Sequence, residues 1–473
     1  MPRPRAFRLL VPDAPLHGRT DGDVYSTAAL ERRARAASAM REVRPGLQLP
    51  SLISSCDGSI DTVLFAFPKY GVEDRDLAAA YQSVIAALRV GTRFLVVHHR
   101  GGYESIAGWF TGAGHPADNV TYVPMPDYVS FTDWAEDGYV ALTDTADGSA
   151  YLMEPWEFLR AGDALIADAV ADYSAIEAAQ APLIFQGGNC LIGPGLWLLG
   201  KDYFADSLEL LYGSRAPVDI PTGVDPDRFV RQVFADYVDA QRELIVVGTG
   251  KAIPVRDYYG TREGENYFLE IAGNGAGTFQ PIFHIDMFLT VLGSNADGQC
   301  DVLVGSPRLA DERLGTSSPF ALDEVYDAIA RDLAGAGLTV HRNPLVHRAT
   351  PGRSLTVAEL KQIASEPGDE PLQVAVEELV SAGASDATAV TVRAWHHVTW
   401  NNCLVENSET HGKHVYLPTF GHGANSDLKP LDDQMKGTLE SFGYTVHLLG
   451  DFNKFARRQG VVHCIKKYLD RGN

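Results

Sequence analysis

His284–Arg308 reads HIDMFLTVLGSNADGQCDVLVGSPR, and this stretch decides the fold. Two apolar runs, FLTVLG and CDVLVG, flank a turn rich in Asn, Asp and Gly, which predicts a pair of antiparallel strands. Gln186–Gly200 (QGGNCLIGPGLWLLG) and Trp400–Gly421 (WNNCLVENSETHGKHVYLPTFG) repeat the arrangement. Polar residues stand at the start of each first strand, and a helix and a further strand follow the second. This recurring strand–strand–helix–strand unit predicts an α/β repeat architecture.

The chain before these units also alternates strand and helix patterns. A strand is predicted just after residue 62, a helix over Glu73–Val90 and another strand at Arg93–His99. Residues 251–280 and 346–392 fit no unit and are interpreted as insertions.

The first 55 residues differ in composition from the rest, being rich in Arg, Ala and Pro. We interpret residues 1–55 as an N-terminal extension that contains a helix over Thr27–Arg41. The main domain is then expected to span residues 56–473.

The 473 residues carry a formal net charge of −21. An acidic surface repels nucleic acid and attracts cationic ligands. The alternative interpretation is that the charge only keeps the protein soluble. No apolar run is long enough to cross a membrane, and the Arg-containing N-terminus shows no secretory signal. The five cysteines are scattered without a Cys-x-x-Cys pair, which argues against a disulfide framework or a zinc site. We expect a cytoplasmic protein that binds neither nucleic acid nor membrane.

His284 and Asp286 form a His-x-Asp pair. In a strand, residues i and i+2 project from the same face, so the imidazole and the carboxylate are expected to share one site. The pair alone is also compatible with a structural contact. It is compatible with metal binding too, although the nearby sequence offers no third ligand.

Asp133–Gly138 (DWAEDG) is an acidic loop with one tryptophan. Carboxylates bind a guanidinium group through paired hydrogen bonds, and a tryptophan ring can stack on it. An acidic surface loop with a half-buried Trp134 is the alternative.

The segment Gly460–Cys464 (GVVHC) ends with a histidine followed directly by a cysteine. A thiolate can attack the central carbon of a guanidinium group. A lone cysteine is otherwise a small core residue.

Taken together and in this order, these motifs resemble those of the peptidylarginine deiminases, within the pentein superfamily of guanidine-modifying enzymes. HIDMFLTVLG followed by LVGSPR is similar to that family's His-x-Asp strand and its Ser-Pro-Arg ending, and GVVHC to its terminal motif. The resemblance spans about residues 120–470. It implies an α/β-propeller of five pseudo-symmetric units around a central funnel.

The resemblance also implies residue roles. Cys464 matches the nucleophile and His284 the general acid and base, while Asp137 and Asp286 match the carboxylates that bind the guanidinium group. Further substrate contacts are implied for the following residues: Trp134, Asn189, and Asn401 or Asn402, of which the sequence does not say which faces the site. Cys403 matches no catalytic position and is interpreted as core.

Two departures from the family pattern affect the expected substrate and cofactor. Gln186 precedes Gly-Gly where the arginine and agmatine deiminases have Glu, which favours the peptidyl branch. Ile465, Lys466 and Lys467 replace the family's Gly-Thr-Asn and leave these positions unassigned. Animal members bind calcium, but no EF-hand-like loop is visible here. No cofactor or metal is therefore expected.

The resemblance implies hydrolysis of peptidyl- or protein-arginine to citrulline and ammonia through a covalent thiouronium adduct. A deiminase of free arginine or agmatine and an amidinotransferase are the alternatives on the same fold, and a non-catalytic pentein binding factor is the alternative from another class. The expected partner is an arginine-containing peptide or protein, and a homodimer is compatible with the sequence.

Overall fold

The computed structural model describes residues 47–472, apart from 159, 161, 214–216, 219–222, 251–255, 263–264, 271–278, 319–321, 365–369 and 382. The expected helix Thr27–Arg41 and most of the expected extension lie outside the described residues, as does much of the expected insertion 251–280. In the part of the chain that is described, no helix combines the length and apolar character needed to cross a bilayer.

Strands and helices alternate along the chain. The strands are β1 (Pro50–Leu52), β2 (Ser59–Phe67), β3 (Arg93–His99), β4 (Val120–Met125), β5 (Val140–Asp144), β6 (Ser149–Glu154), β7 (Glu177–Gln180), β8 (Cys190–Gly193), β9 (Leu196–Gly200), β10 (Glu243–Val247), β11 (Arg256–Arg262), β12 (Glu265–Glu270), β13 (Leu289–Ser294), β14 (Cys300–Ser306), β15 (Thr339–Ala349), β16 (Arg353–Thr356), β17 (Ala389–Thr399), β18 (Leu404–Ser408), β19 (Gly412–Thr419), β20 (Thr445–Asp451) and β21 (Lys466–Gly472). The helices are α1 (Lys69–Glu73), α2 (Arg75–Ala87), α3 (Tyr103–Gly112), α4 (Ile166–Tyr173), α5 (Lys201–Tyr212), α6 (Pro226–Tyr237), α7 (Pro307–Leu314), α8 (Leu322–Gly335), α9 (Val357–Ala364), α10 (Glu370–Ser381), α11 (Lys429–Ser441) and α12 (Asn453–Arg457).

Within the described residues the strands form five sheets. Their orders are β1-β5-β6-β7, β10-β9-β8, β11-β12-β17-β15-β14-β13, β18-β19-β20 and β21-β2-β3-β4, with β16 paired to β17.

The five sheets share one core arrangement, in which a middle strand pairs antiparallel on one side and parallel on the other. This holds for β5-β6-β7, β8-β9-β10, β13-β14-β15, β18-β19-β20 and β21-β2-β3. At least one helix precedes each parallel strand, so the strand–strand–helix–strand order predicted for the three quoted segments is present.

The helix expected over Glu73–Val90 is present as α2 (Arg75–Ala87), and a separate short helix, α1, ends at Glu73. Asp74 has an extended backbone between them, and its carboxylate accepts hydrogen bonds from the N–H groups of Asp76 and Leu77. This side chain is an N-cap for α2, and it ends one helix where the next begins.

Part of the expected extension and part of the expected insertions belong to the sheets. Residues Pro50–Leu52, inside the expected extension, pair with β5 as strand β1. The expected insertion 346–392 contains the end of β15, all of β16, α9 and α10, and the start of β17, which continues the third sheet beside β15.

A large buried apolar cluster connects several sheets and includes the segment before the last strand. Val461, Val462 and Cys464 belong to it, together with residues of β2, β13, β14 and β19. Burial of a valine side chain contributes about 1.5–3 kcal/mol. Core packing therefore positions the loop that ends in Cys464.

Candidate active site

The residues expected in the site all lie immediately before the first strand of a unit. Trp134 and Asp137 precede β5, Asn189 precedes β8, and the remaining residues precede β13, β18 and β21: His284, Asp286, Asn401, Asn402 and Cys464. The equivalent ends of five sheets therefore present the candidate residues.

The expectation that His284 and Asp286 lie in a strand is wrong. Ile285–Met287 is a short 3₁₀ turn, and β13 begins only at Leu289. The physical reason lies in a buried amide, because Oδ1 of Asn189 accepts the N–H of Ile285 at 2.9 Å and competes with strand pairing. Asn401 and Asn402 likewise lie between β17 and β18, not in a strand.

Cys464 is buried against a carboxylate and an amide. Its Sγ lies 3.6 Å from Oδ2 of Asp286 and 3.2 Å from Nδ2 of Asn402. Burial raises the pKa of the Cys464 thiol well above its ordinary value, and the charges of Asp286 and Asp137 add to that rise. The isolated site therefore favours the neutral thiol, and a cation bound beside the two carboxylates would favour the thiolate.

His284 is held between Gln186 and Asp137. Its Nε2 lies 2.7 Å from Oε1 of Gln186, and its Nδ1 lies 3.6 Å from Oδ1 of Asp137. Because the amide oxygen accepts, this contact assigns the proton of the neutral ring to Nε2 and leaves the lone pair at Nδ1. Burial lowers the pKa of His284 to about 4, although Asp286 opposes the change. Nδ1 therefore keeps its lone pair and can accept a proton.

Asp137 is paired with a cation of its own chain. Oδ2 of Asp137 lies 2.7 Å from Arg160, whose Nε is 2.7 Å from Asp163. Burial raises the pKa of Asp137, and Arg160 opposes that rise. Arg160 therefore helps to keep a deeply buried carboxylate charged, and the sequence alone did not indicate it.

Three buried polar atoms in this cluster have no hydrogen-bond partner among the described residues. They are Oδ1 of Asp137, Oδ1 of Asp286 and Nδ1 of His284. An unsatisfied buried acceptor costs about 1–3 kcal/mol, so three of them in one cluster require an explanation. All three can accept hydrogen bonds, which a cation with several N–H donors could supply.

The asparagines have different contacts. Oδ1 of Asn402 accepts the N–H groups of His463 at 2.9 Å and of Cys464 at 3.2 Å. Asn401 instead bonds to Asn343 and Thr290, away from the thiol. Asn402 is therefore the one that faces Cys464. Asn189 and Asn402 thus each accept hydrogen bonds from the backbone of the next unit along the chain, at Ile285 and at His463 and Cys464 respectively.

Trp134 is buried against an internal arginine. The guanidinium carbon of Arg458 lies 5.1 Å from the Trp134 ring centroid, and Arg458 is also ion-paired to Asp133. A Cβ added at Gly460 would lie 2.3 Å from the ring, so only glycine permits this approach. Trp134 thus connects the acidic loop to the segment that leads to Cys464.

A second set of contacts connects these two segments beside the thiol. The N–H of Glu136 donates to the carbonyl of Cys464 at 3.1 Å. Its carboxylate accepts from Lys466 at 2.9 Å and from Lys467 at 2.8 Å. Burial would raise the pKa of Glu136, but the two lysines outweigh burial and lower that pKa to about 2. The lysines left unassigned by the sequence are therefore buried partners of the acidic loop.

No group of three or more His, Cys, Asp or Glu side chains that could hold a metal ion occurs among the residues that the structure describes. The site residues instead combine a thiol, an imidazole and two carboxylates. This set suits covalent chemistry on a cationic carbon.

Replacing Gln186 by Glu is expected to raise the pKa of His284. A carboxylate 2.7 Å from Nε2 would favour the imidazolium, and an opposite charge this close shifts a pKa by about 1–3 pH units. The limb of the kcat/KM–pH profile that reports His284 should move to higher pH by that amount. Gln434→Glu, on the exposed face of α11, is the matched control. An unchanged profile in Gln186→Glu would show that this contact does not set the ionisation of His284.

Comparison with solved structures shows that the chain shares a mixed α/β fold with proteins named as deiminases. A protein provisionally named an agmatine deiminase is 14% identical, with 90% of this chain and 97% of that chain covered and a TM-score of 0.52. A protein provisionally named a peptidyl-arginine deiminase is 12% identical, with 90% and 100% covered and a TM-score of 0.51. The agmatine deiminase of C. jejuni is 9% identical, with 89% and 96% covered and a TM-score of 0.50. No protein-family model and no curated protein matches the sequence.

Proposed function

We propose that this protein is a hydrolase that deiminates a guanidine group, converting it to a ureido group with release of ammonia. The observation that carries the proposal is the cluster of unsatisfied acceptors on Asp137, Asp286 and His284, next to a buried thiol. The guanidinium group of an arginine side chain has five N–H donors in one plane, and its positive charge complements the negative charge of the two carboxylates.

The proposed reaction runs through a covalent adduct on Cys464. The thiol proton passes to His284 as Sγ attacks the guanidinium carbon. His284 returns a proton to one nitrogen, which leaves as ammonia, and a thiouronium group remains on the sulfur. Water then attacks the same carbon and gives a proton to His284. The C–S bond breaks, the sulfur takes the proton from His284 and so restores the thiol, and the hydroxyl group of the adduct releases its proton to solvent as the ureido product leaves.

Asp137 and Asp286 act through charge in this scheme. Both are buried, so their attraction for the guanidinium group is much less screened than it would be in water. A bound guanidinium group offsets the two carboxylates that raise the pKa of Cys464. Substrate binding therefore activates the nucleophile, and the thiol stays protonated until a cation arrives.

The proposed substrate is arginine within a peptide or protein. Gln186 stands where the resemblance places Glu in the enzymes of free arginine and agmatine, and this departure supports the peptidyl assignment. Agmatine is the second candidate, because two of the structural neighbours are named as agmatine deiminases.

The finer architecture is also a proposal. Five sheets with one shared core arrangement, each presenting its site residues before the first strand, support a five-unit propeller around a funnel. We propose residues 56–473 as the domain that forms it.

The test is a substrate panel with the purified protein. Ammonia and ureido product are measured with agmatine, with free arginine and with a peptide whose termini are blocked and whose only arginine is internal. The highest kcat/KM is expected on the peptide. A preference for agmatine would contradict the proposed substrate but support the proposed reaction. If none of the three compounds released ammonia, guanidine deimination would be refuted.

A further inference from the structure

His463, the residue before the nucleophile, has a side chain inside the site. It is 4% exposed, and its Nδ1 lies 2.9 Å from Oδ2 of Asp286. Its ring also packs edge-on against Tyr468, with centroids 6.0 Å apart. The mechanism above gives this buried imidazole no task.

Asp286 Oδ2 is shared by two neighbours. His463 Nδ1 lies 2.9 Å from it and Cys464 Sγ lies 3.6 Å from it, while Oδ1 of the same carboxylate has no partner among the described residues. Because a carboxylate oxygen accepts, the contact with His463 places a proton on Nδ1. One imidazole N–H therefore fixes which oxygen of Asp286 lies beside the sulfur.

We propose that His463 is a positioning residue that gives the two carboxylate oxygens of Asp286 different roles. Its Nδ1–H holds Oδ2 and withdraws part of that oxygen's negative charge from the adjacent sulfur. Oδ1 is thereby left aimed at the guanidinium group. The inference rests on the proposed function for the role of Oδ1, but not for the effect on the thiol.

The surroundings of His463 support a specific role for this one hydrogen bond. The titratable groups that act on it are Asp286, Glu136, His284, Cys464 and Tyr468, with Lys466 and Lys467 paired to Glu136. The lysines compensate Glu136, so the charge on Oδ2 of Asp286 depends on His463. If this N–H were lost, the Cys464 thiol would be the remaining donor to Oδ2 among the hydrogen bonds of the described residues.

Two amide variants distinguish the effect of losing the Nδ1–H hydrogen bond from the effect of losing the imidazole ring. The amide nitrogen of Asn reaches the place of Nδ1, and that of Gln reaches the place of Nε2. His463→Asn is therefore expected to keep kcat/KM within about threefold of the wild type, while His463→Gln lowers it by about tenfold or more, chiefly through KM. A purely structural role for the ring would not distinguish Asn from Gln in this direction.

Alkylation of Cys464 by iodoacetamide gives a readout that needs no substrate. The rate is followed against pH, with the modified residue identified by mass spectrometry. In His463→Gln the profile should move to higher pH, since Oδ2 repels the thiolate more strongly, while His463→Asn should follow the wild type. This result would stand even if the substrate panel refuted deimination.

His115→Asn is the control for a lost buried histidine, since His115 is 5% exposed and bonds to the carbonyl of Ile85. Its turnover per folded molecule should equal that of the wild type. Equal losses in His463→Asn and His463→Gln, or wild-type behaviour in both, would overturn the proposal. Thermal unfolding of each variant confirms that folded protein is being compared.

Discussion

Cys464→Ala is expected to abolish turnover, with a fall in kcat of at least about 10⁴-fold, because loss of a covalent nucleophile removes the reaction path itself. The substrate should still bind, since Asp137 and Asp286 remain. Alanine also removes the thiol that meets Asp286 at 3.6 Å, so binding of the cation should be unimpaired or slightly stronger. Ammonia release measures the first effect, and calorimetry with an arginine peptide measures the second.

Cys403→Ala is the matched control. Cys403 is 3% exposed, as Cys464 is, and it lies between Asn402 and β18. The variant should lose stability but keep its turnover per folded molecule. Retained ureido production in Cys464→Ala would exclude a covalent path through this cysteine, whatever the behaviour of the control.

Asp137→Asn is expected to lower kcat/KM by about 10²–10³-fold. Removing one partner of a buried ion pair costs about 3–5 kcal/mol, much of it because the other charge is left unpaired. Here both the substrate guanidinium group and Arg160, 2.7 Å from Oδ2, would lose their anion. Steady-state kinetics should show a higher KM together with a lower kcat, since the carboxylate acts in the ground state and the transition state.

Asp432→Asn provides the comparison for this change. Asp432 is buried as deeply, at 2% exposure, and accepts hydrogen bonds from Trp400 and Phe420. Its amide variant should melt at a lower temperature and keep the wild-type KM. If Asp137→Asn changed only the melting temperature in the same way, Asp137 would be a structural residue with no direct role in binding the guanidinium group.

The sequence predicted the type and order of the elements better than their ends. Alternating apolar runs are sufficient to place β2, β13 and β14, because buried strands need them. The pattern could not show that Asp74 separates α2 from the short helix α1, or that the His284–Asp286 segment forms a turn. Both depend on a side chain that competes with regular backbone hydrogen bonds, and apolar periodicity does not report that competition.

Several residues of the candidate site were missed for a different reason. Gln186 contacts His284 across 98 positions of sequence, and Lys466 contacts Glu136 across 330. Such contacts depend on how neighbouring sheets meet, which no local pattern contains. A signal was present, since the glutamine before Gly187 and the lysines after the cysteine were the two departures from the family pattern.

Strand β21, which directly follows the nucleophile segment, pairs with β2 near the other end of the described chain, and Arg471 bonds to the carbonyl of Gly58 across 413 positions. Closing so long a loop is slow, because its entropy must be lost before the contact forms. During synthesis, β2 leaves the ribosome long before its antiparallel neighbour exists. The thiol and the carboxylates of Asp137 and Asp286 therefore come together only after the chain has been synthesised past Cys464.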